Sequence, residues 1–278
     1  MAQTAYPEAR TEPAHLLPPG RAVVSVAGPE ARSFLQGLVS NDMRRVSPER
    51  AVYAALLTPQ GRFLHDLFVV ELDGALLLDC EAERRADLIR RLSLYKLRAK
   101  VTIADAHERY AAALLFGAGA LEALGLPPEP GRATAFAGGV AYVDPRLPVL
   151  GVRAVLPRDG AAATLAAAGF APGAPAAWER LRLGLGVPDG SRDLPVEKAL
   201  PLENGFDELN GVDWEKGCYI GQEVTARMRY RALVRRRLMP VRIDGPVPAP
   251  GTTVLRRGQE AGEMRSAEDG LGLALLLS

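Results

Sequence analysis

The stretch KGCYIGQEVTARMRYR, residues 216–231, holds Cys218, one of two cysteines in the 278-residue chain. Gly221 ahead of QEVTARM marks a helix start, with Ile220, Val224 and Met228 on one side. Glu223 precedes Arg227 by four residues, the order that favours a surface ion pair. Cys218 then falls at or just before a helix N-terminus, two residues after Lys216. A helix dipole and a nearby ammonium both favour a thiolate, so a lowered thiol pKa is expected. The competing reading is a small buried hydrophobe, and the polar, Gly-punctuated surroundings leave both open.

Other chemistry-bearing groups are sparser. In GRFLHDLF, His65 and Asp66 are neighbours, and strand alternation sends them to opposite faces. They form no local dyad, although one of them can line a cavity. Three histidines (His15, His65, His107) and two distant cysteines without ligand spacing give no zinc or iron site, so no permanent metal is expected. Two basic clusters stand out: Arg84, Arg85, Arg90, Arg91, Lys96, Arg98 and Lys100, then Arg227, Arg229, Arg231, Arg235, Arg236 and Arg237. They are either solvated faces or bidentate sites for a dicarboxylate tail or an RNA backbone. Tyr230 is the only aromatic among the later group, so the stacking platform of a single-strand binder is missing. GLGVPDG has the wrong order of elements for a glycine-rich phosphate loop.

The elements that must position these groups alternate irregularly between strand and helix. RAVVSVAG reads as a strand entering a helix at PEARSFLQGLVSND, with Pro29 in its first turn. AVYAALL, RFLHDLFVVEL and ALLLDC, joined by TPQG and DG, form an antiparallel meander. Residues 81–100 follow a helical period, with Leu88, Ile89, Leu92 and Tyr95 on one buried face. Strands are expected at KVTIAD, YAAALLFG, GGVAYVDPR and VLGVRAVLP, and helices at GAAATLAAAG and AAWERLRLGLG. A long irregular stretch then reaches Cys218, and a connection of that length is functional or misread. After Arg231, the short runs RRLMPVRI, TTVLRRG and LGLALLL read as a small closed β-domain, its closing strand marginal. The class is α+β.

Apolar residues make up 48% of the chain, charged residues 24%, and the formal net charge is +1. This is an ordinary globular composition and excludes a globally cationic polyanion binder. The first twenty residues lack the pattern of a secretory signal and read as a loose lead-in. No apolar run is long enough to span a bilayer, so no membrane contact is expected. Two unpaired cysteines point to a reducing compartment, and the cytoplasm is the expected location.

KGCYIGQE followed by ARMRYR resembles the signature of the YgfZ branch of the folate-binding, glycine-cleavage T-protein-like family. The resemblance extends to FLQGLVSND, PQGRFLHDL, YKLRAKV, DPRLPVLGVR and RLGLGVPDG, in family order. It implies a three-subdomain cloverleaf around a central channel with a small C-terminal β-barrel. The expected pieces are residues 21–105 with 175–230, residues 106–174, and residues 231–278. It implies a tetrahydrofolate in the channel, contacted by Trp178, with His65, Tyr95, Arg98, Arg182, Tyr219, Gln222 and Glu223 as further folate-side residues. Gly217, Gly221 and Arg227 complete the motif, and Cys218 with Lys216 forms a thiol site. In the aminomethyltransferase branch two consecutive Asp occupy the place of His65 and Asp66, and a pterin-directed Glu the place of Gly184. Both departures argue against aminomethyl transfer. The implied role is a folate-dependent accessory protein for assembly or repair of iron–sulfur enzymes, tRNA-modifying ones included. Its expected partners are folate and iron–sulfur client or assembly proteins, with nucleic acid involved only indirectly. A one-carbon enzyme and an RNA-binding module are the alternatives.

Overall fold

The computed structural model describes residues 12–277. Strand β1 (Ala14–Leu16) leads to β2 (Arg21–Ala27), helix α1 (Ala31–Gln36) and the meander β3 (Val52–Leu57), β4 (Phe63–Leu72) and β5 (Ala75–Glu81). Helix α2 (Arg85–Lys96) is followed by β6 (Thr102–Asp105), β7 (Tyr110–Phe116), β8 (Ala133–Phe136), β9 (Gly139–Val143) and β10 (Val152–Pro157). Then come α3 (Ala161–Ala167), the short β11 (Ala171–Pro172), α4 (Pro175–Gly184), α5 (Gly190–Asp193) and α6 (Gln222–Tyr230). Strands β12 (Arg236–Arg242), β13 (Thr253–Arg256), β14 (Gln259–Glu268) and β15 (Leu271–Leu277) close the described chain.

Three sheets result, ordered β3-β4-β5-β2-β6, β11-β1-β7-β10-β9-β8 and β12-β15-β14-β13. The first two pack face to face. Tyr53, Phe68 and Leu77 of one share a core with Tyr110, Tyr142 and Val155 of the other. On the outer face of the five-stranded sheet, Leu35 of α1 and Leu88 and Leu92 of α2 cover Leu67, Val69 and Leu78. Leu165 of α3 does the same for the six-stranded sheet. Burial on both faces explains continuous apolar strands such as VYAALL, which alternate only where a polar group is wanted.

The irregular stretch before Cys218 is a buried strap. Its Leu194, Leu202, Phe206 and Val212 plug the inter-sheet core, and Phe206 stacks on Tyr53 with ring centroids 5.1 Å apart. It lacks periodicity because isolated side chains, not a helix or strand face, fill gaps between two curved sheets.

Three expectations change. Within the supposed loose lead-in, Ala14–Leu16 form a strand parallel to β11 and antiparallel to β7, while residues 1–11 lie outside the described residues. Helix α2 stops at Lys96, and Tyr95 is 42% exposed because Ala99, Val101 and Ile103 take the space beyond Leu92. The closing strand β15 is not marginal: it lies between β12 and β14 with Leu273 and Ala274 fully buried.

Candidate functional site

A cavity of about 510 Å³ opens between the two large sheets and is closed by α4 and α5, within the ~300–1,000 Å³ range of small-molecule sites. One wall is built on Phe68 of β4. The guanidinium of Arg153 lies 3.7 Å from its ring centroid, that of Arg146 4.8 Å and that of Arg21 5.5 Å. Each is anchored from behind. Arg21 and Arg153 both bind Asp79 at 2.7 Å, and Arg146 binds Asp144 at 2.8 Å. Burial pushes both carboxyls up, but the adjacent guanidiniums outweigh it and hold them below the usual range. On α4, the buried Arg182 donates to Asp193 at 2.6 Å, to Glu179 at 2.7 Å and to the Ser266 hydroxyl at 2.7 Å. These contacts tie the cavity wall to the C-terminal sheet.

Three guanidiniums thus share two carboxylates, and Asp66, which offsets the third charge at longer range, is the carboxylate with no ion pair of its own. It is 2% exposed and lines the cavity. Its Oδ2 accepts the Tyr53 hydroxyl at 3.1 Å, and its Oδ1 has no partner. Burial, and then the Asp66 charge, push the Tyr53 phenol well above its ordinary pKa, so Tyr53 stays a donor. A buried carboxylate oxygen without a donor costs stability unless a ligand supplies one. Glu81, whose pKa is raised from its ordinary value by burial and then by Asp66, accepts from the Ser191 N–H and hydroxyl at the rim. Trp178 of α4 also lines the cavity, its ring edge-on to Phe116 at 5.7 Å. An apolar plane and an acceptor with no donor suit a flat ligand head rich in N–H groups.

Of the residues expected to contact folate, Trp178 and Arg182 are at this cavity. His65 is not. It points from the opposite face of β4 toward α2, where Nε2 lies 3.0 Å from Asp87. Burial, and then the charge of Arg84, lower its pKa to about 4 despite Asp87. At neutral pH the contact is therefore a neutral imidazole N–H donating to a carboxylate, and no ion pair forms. His65 therefore does not face the cavity, which is lined by the neighbouring Asp66. Tyr95 and Arg98 are exposed at the end of α2, and neither they nor Gly184 lines the cavity.

The KGCYIGQE motif sits elsewhere, on the β3–β4 turn. Gly221 has φ +84°, and a Cβ there would stand 2.6 Å from the Thr58 carbonyl oxygen; one on Gly61 would meet Val224 Cβ at 3.0 Å. Backbone thus lies on backbone, which requires glycine. Cys218 is free and exposed, whereas Cys80 is buried and its thiol is pushed up to about 12 by burial. Lys216 does not serve the thiol. Its ammonium is buried and donates to the carbonyls of Gln36 at 2.6 Å and Val39 at 2.5 Å, past the end of α1. Burial lowers its pKa to about 8. Tyr219 is buried with its ring centroid 5.0 Å from that ammonium, and its hydroxyl is raised to about 12 by burial. Gln222 is half-buried, and Gly217, Glu223 and Arg227 are exposed; none of the motif residues lines the cavity. The expected single site is therefore two: a cavity, and a thiol loop.

Much of the basic clusters is paired. Arg90 and Arg91 bind Asp87, Arg85 binds Asp105, and Arg237 binds Glu208. Arg229 covers the Trp214 ring at 4.2 Å. The network Arg21–Asp79–Arg153 with Asp144–Arg146 escaped the sequence reading. Its signal is a charge set inside otherwise apolar strands, as in LLLDC and GVRAVL.

Residues 21–126 match the GCVT N-terminal domain and residues 235–277 the CAF17 C-terminal beta-barrel domain. The chain is 37% identical over 281 aligned residues to "Iron-sulfur cluster assembly factor IBA57, mitochondrial" of Mus musculus, covering 93% of this chain and 76% of that protein. Its Homo sapiens counterpart is 38% identical with the same coverage. Among solved structures, the glycine cleavage system aminomethyltransferase T from Bartonella henselae superposes with a TM-score of 0.76 at 16% identity, covering 96% of this chain and 79% of that one. The fold is thus the aminomethyltransferase T fold with a C-terminal barrel-like module. The expectation of a cytoplasmic protein is corrected, because these relatives are mitochondrial; reduced cysteines report redox poise and do not distinguish the two compartments.

Proposed function

Because the chain belongs to the family of IBA57 iron–sulfur cluster assembly factors, we propose that it acts in iron–sulfur cluster assembly by presenting Cys218 to a cluster carried by another protein. The observation that carries this reading is the contrast between the two sulfurs. Cys218 is exposed on a loop pinned by Gly221 and Lys216, while Cys80 is sealed in the core. One thiolate cannot hold a cluster that takes four ligands, and no group of three or more His, Cys, Asp and Glu side chains is placed to hold a metal ion among the described residues. The remaining ligands then come from the partner, so contact is transient and the cluster is cargo.

In the same reading the cavity holds a reduced folate, as in the YgfZ branch that the sequence resembles. Asp66 Oδ1 would accept from the aminopyrimidine edge, which offers N–H donors, and Trp178 would pack on the ring system. When bound, a tetrahydrofolate supplies amines that take up one-carbon units. The clients in this proposal include iron–sulfur enzymes that modify tRNA. A second reading, a one-carbon enzyme, draws support from Asp66, which keeps a carboxylate at the cavity; turnover of formaldehyde with tetrahydrofolate would favour it.

The test compares Cys218→Ser with Cys80→Ser in cells lacking the native protein, reading the activity of a [4Fe–4S] enzyme. Cys218→Ser is expected to abolish rescue while leaving folate affinity intact, and Cys80→Ser to rescue wherever it folds. Full rescue by Cys218→Ser would remove the thiol from the mechanism.

A further inference from the structure

The C-terminal end of α2, none of whose residues lines the cavity or belongs to the thiol loop, carries a surface that neither uses. Leu94, Tyr95 and Leu97 are 65%, 42% and 89% exposed. Leu97 follows the helix at φ +43° and ψ −109°, and the Ala99 N–H closes a turn onto the Lys96 carbonyl at 2.8 Å. This is the first central position of a type II′ turn, where glycine is unstrained and a side chain is not. The chain here keeps a large apolar side chain in a strained place where it covers nothing within the fold.

The charge around it is one-sided. From residue 90 to residue 100 the sequence has Arg90, Arg91, Lys96, Arg98 and Lys100 and no Asp or Glu. Asp87 holds Arg90 and Arg91. Among the described residues, the side chains of Lys96, Arg98 and Lys100 make no ion pair. Glu30 at the rim accepts from the Lys100 backbone N–H at 2.5 Å.

We propose that this tip is a peripheral docking site for an anionic phospholipid surface. Leu94, Leu97 and the Tyr95 ring enter the boundary between headgroups and acyl chains, while Lys96, Arg98 and Lys100 meet the anionic headgroups. The shape favours lipid over protein. A convex turn with three apolar side chains falls well short of the ~800 Å² per partner of a stable protein interface. A bilayer, in contrast, needs no complementary pocket. No helix is long and apolar enough to cross a membrane among the described residues, and the expectation of no membrane contact rested on spanning segments alone, which surface docking does not need.

The test is co-sedimentation of the full chain with vesicles of phosphatidylcholine alone, or with about 30% phosphatidylserine added. Binding to the anionic vesicles is expected to be at least about tenfold tighter, and to weaken steeply as salt rises from about 0.05 to 0.5 M. Leu94→Ser with Leu97→Ser should weaken binding about tenfold or more, and Lys96→Glu with Arg98→Glu should abolish it. Leu97→Gly separates function from folding: it should raise Tm by relieving the turn while weakening vesicle binding. A wild-type chain that ignores anionic vesicles would overturn the proposal and hand the tip to an acidic protein surface. So would binding that none of these variants changes, or self-association in sedimentation velocity that depends on Leu94 and Leu97.

Discussion

Replacing Asp66 with Asn separates what the cavity does for the fold from what it does for a ligand. The side chain is 2% exposed, with Oδ2 on the Tyr53 hydroxyl at 3.1 Å and Oδ1 bare. Asn is nearly isosteric and can keep an oxygen on Tyr53, so no void forms. Arg21, Arg153 and Arg146 keep their hydrogen-bonded partners, Asp79 and Asp144, although three guanidiniums then face two carboxylates. The fold should therefore lose only about 1 kcal/mol, since one unpartnered polar atom replaces another and the pairs to Asp79 and Asp144 survive. For a ligand that donates N–H groups to the carboxylate, the loss is one charge-assisted hydrogen bond. At about 2 kcal/mol this weakens affinity about 30-fold. The assay is calorimetric titration of tetrahydrofolate under anaerobic reducing conditions at pH 7, beside a thermal melt of each protein. An affinity within about threefold of wild type would refute the role of Asp66, as would a parallel collapse of affinity and Tm. A wild-type chain that takes up no folate would end the cofactor reading itself.

Two further predictions concern the scaffold. Because the folded pKa of His65, about 4, lies below its ordinary 6.5, the unfolded chain binds more protons between those values. Stability is thus fully present above about pH 6.5 and falls as pH drops toward 4, by about 3 kcal/mol at 1.36 kcal/mol per unit. Urea midpoints measured across that window should show the slope in wild type and lose most of it in His65→Gln; equal slopes would contradict it. Gly221→Ala should cost about 2 kcal/mol or more, since its Cβ would stand 2.6 Å from the Thr58 carbonyl oxygen at φ +84°. Denaturant unfolding checks this, and an unchanged midpoint would show that the turn can move aside.

The legible parts of the sequence were those governed by neighbours along the chain. TPQG and DG marked the turns of the meander, the spacing of Leu88, Ile89 and Leu92 marked α2 though not its end, and the helical pattern of AAWERLRLGLG marked α4. What escaped depends on partners far away. Alternation separated His65 from Asp66 but did not say which face meets the second sheet; that depends on where α2 and β9 pack. Lys216 looked like a companion of Cys218 because they are two residues apart, yet its ammonium belongs to carbonyls at Gln36 and Val39. The Arg21–Asp79–Arg153 cluster joins three strands from two sheets, which no local pattern announces.

Strand order also has a temporal side. β15 pairs with both β12 and β14, and β1 sits between β7 and β11. During synthesis the first strand gains a partner on one side with β7 and on the other only at residue 172, and the C-terminal sheet has no centre until Leu271–Leu277 have left the exit tunnel. Half-made molecules therefore show open sheet edges to their surroundings, and a pause before β15 emerges is the moment of greatest exposure to misassociation.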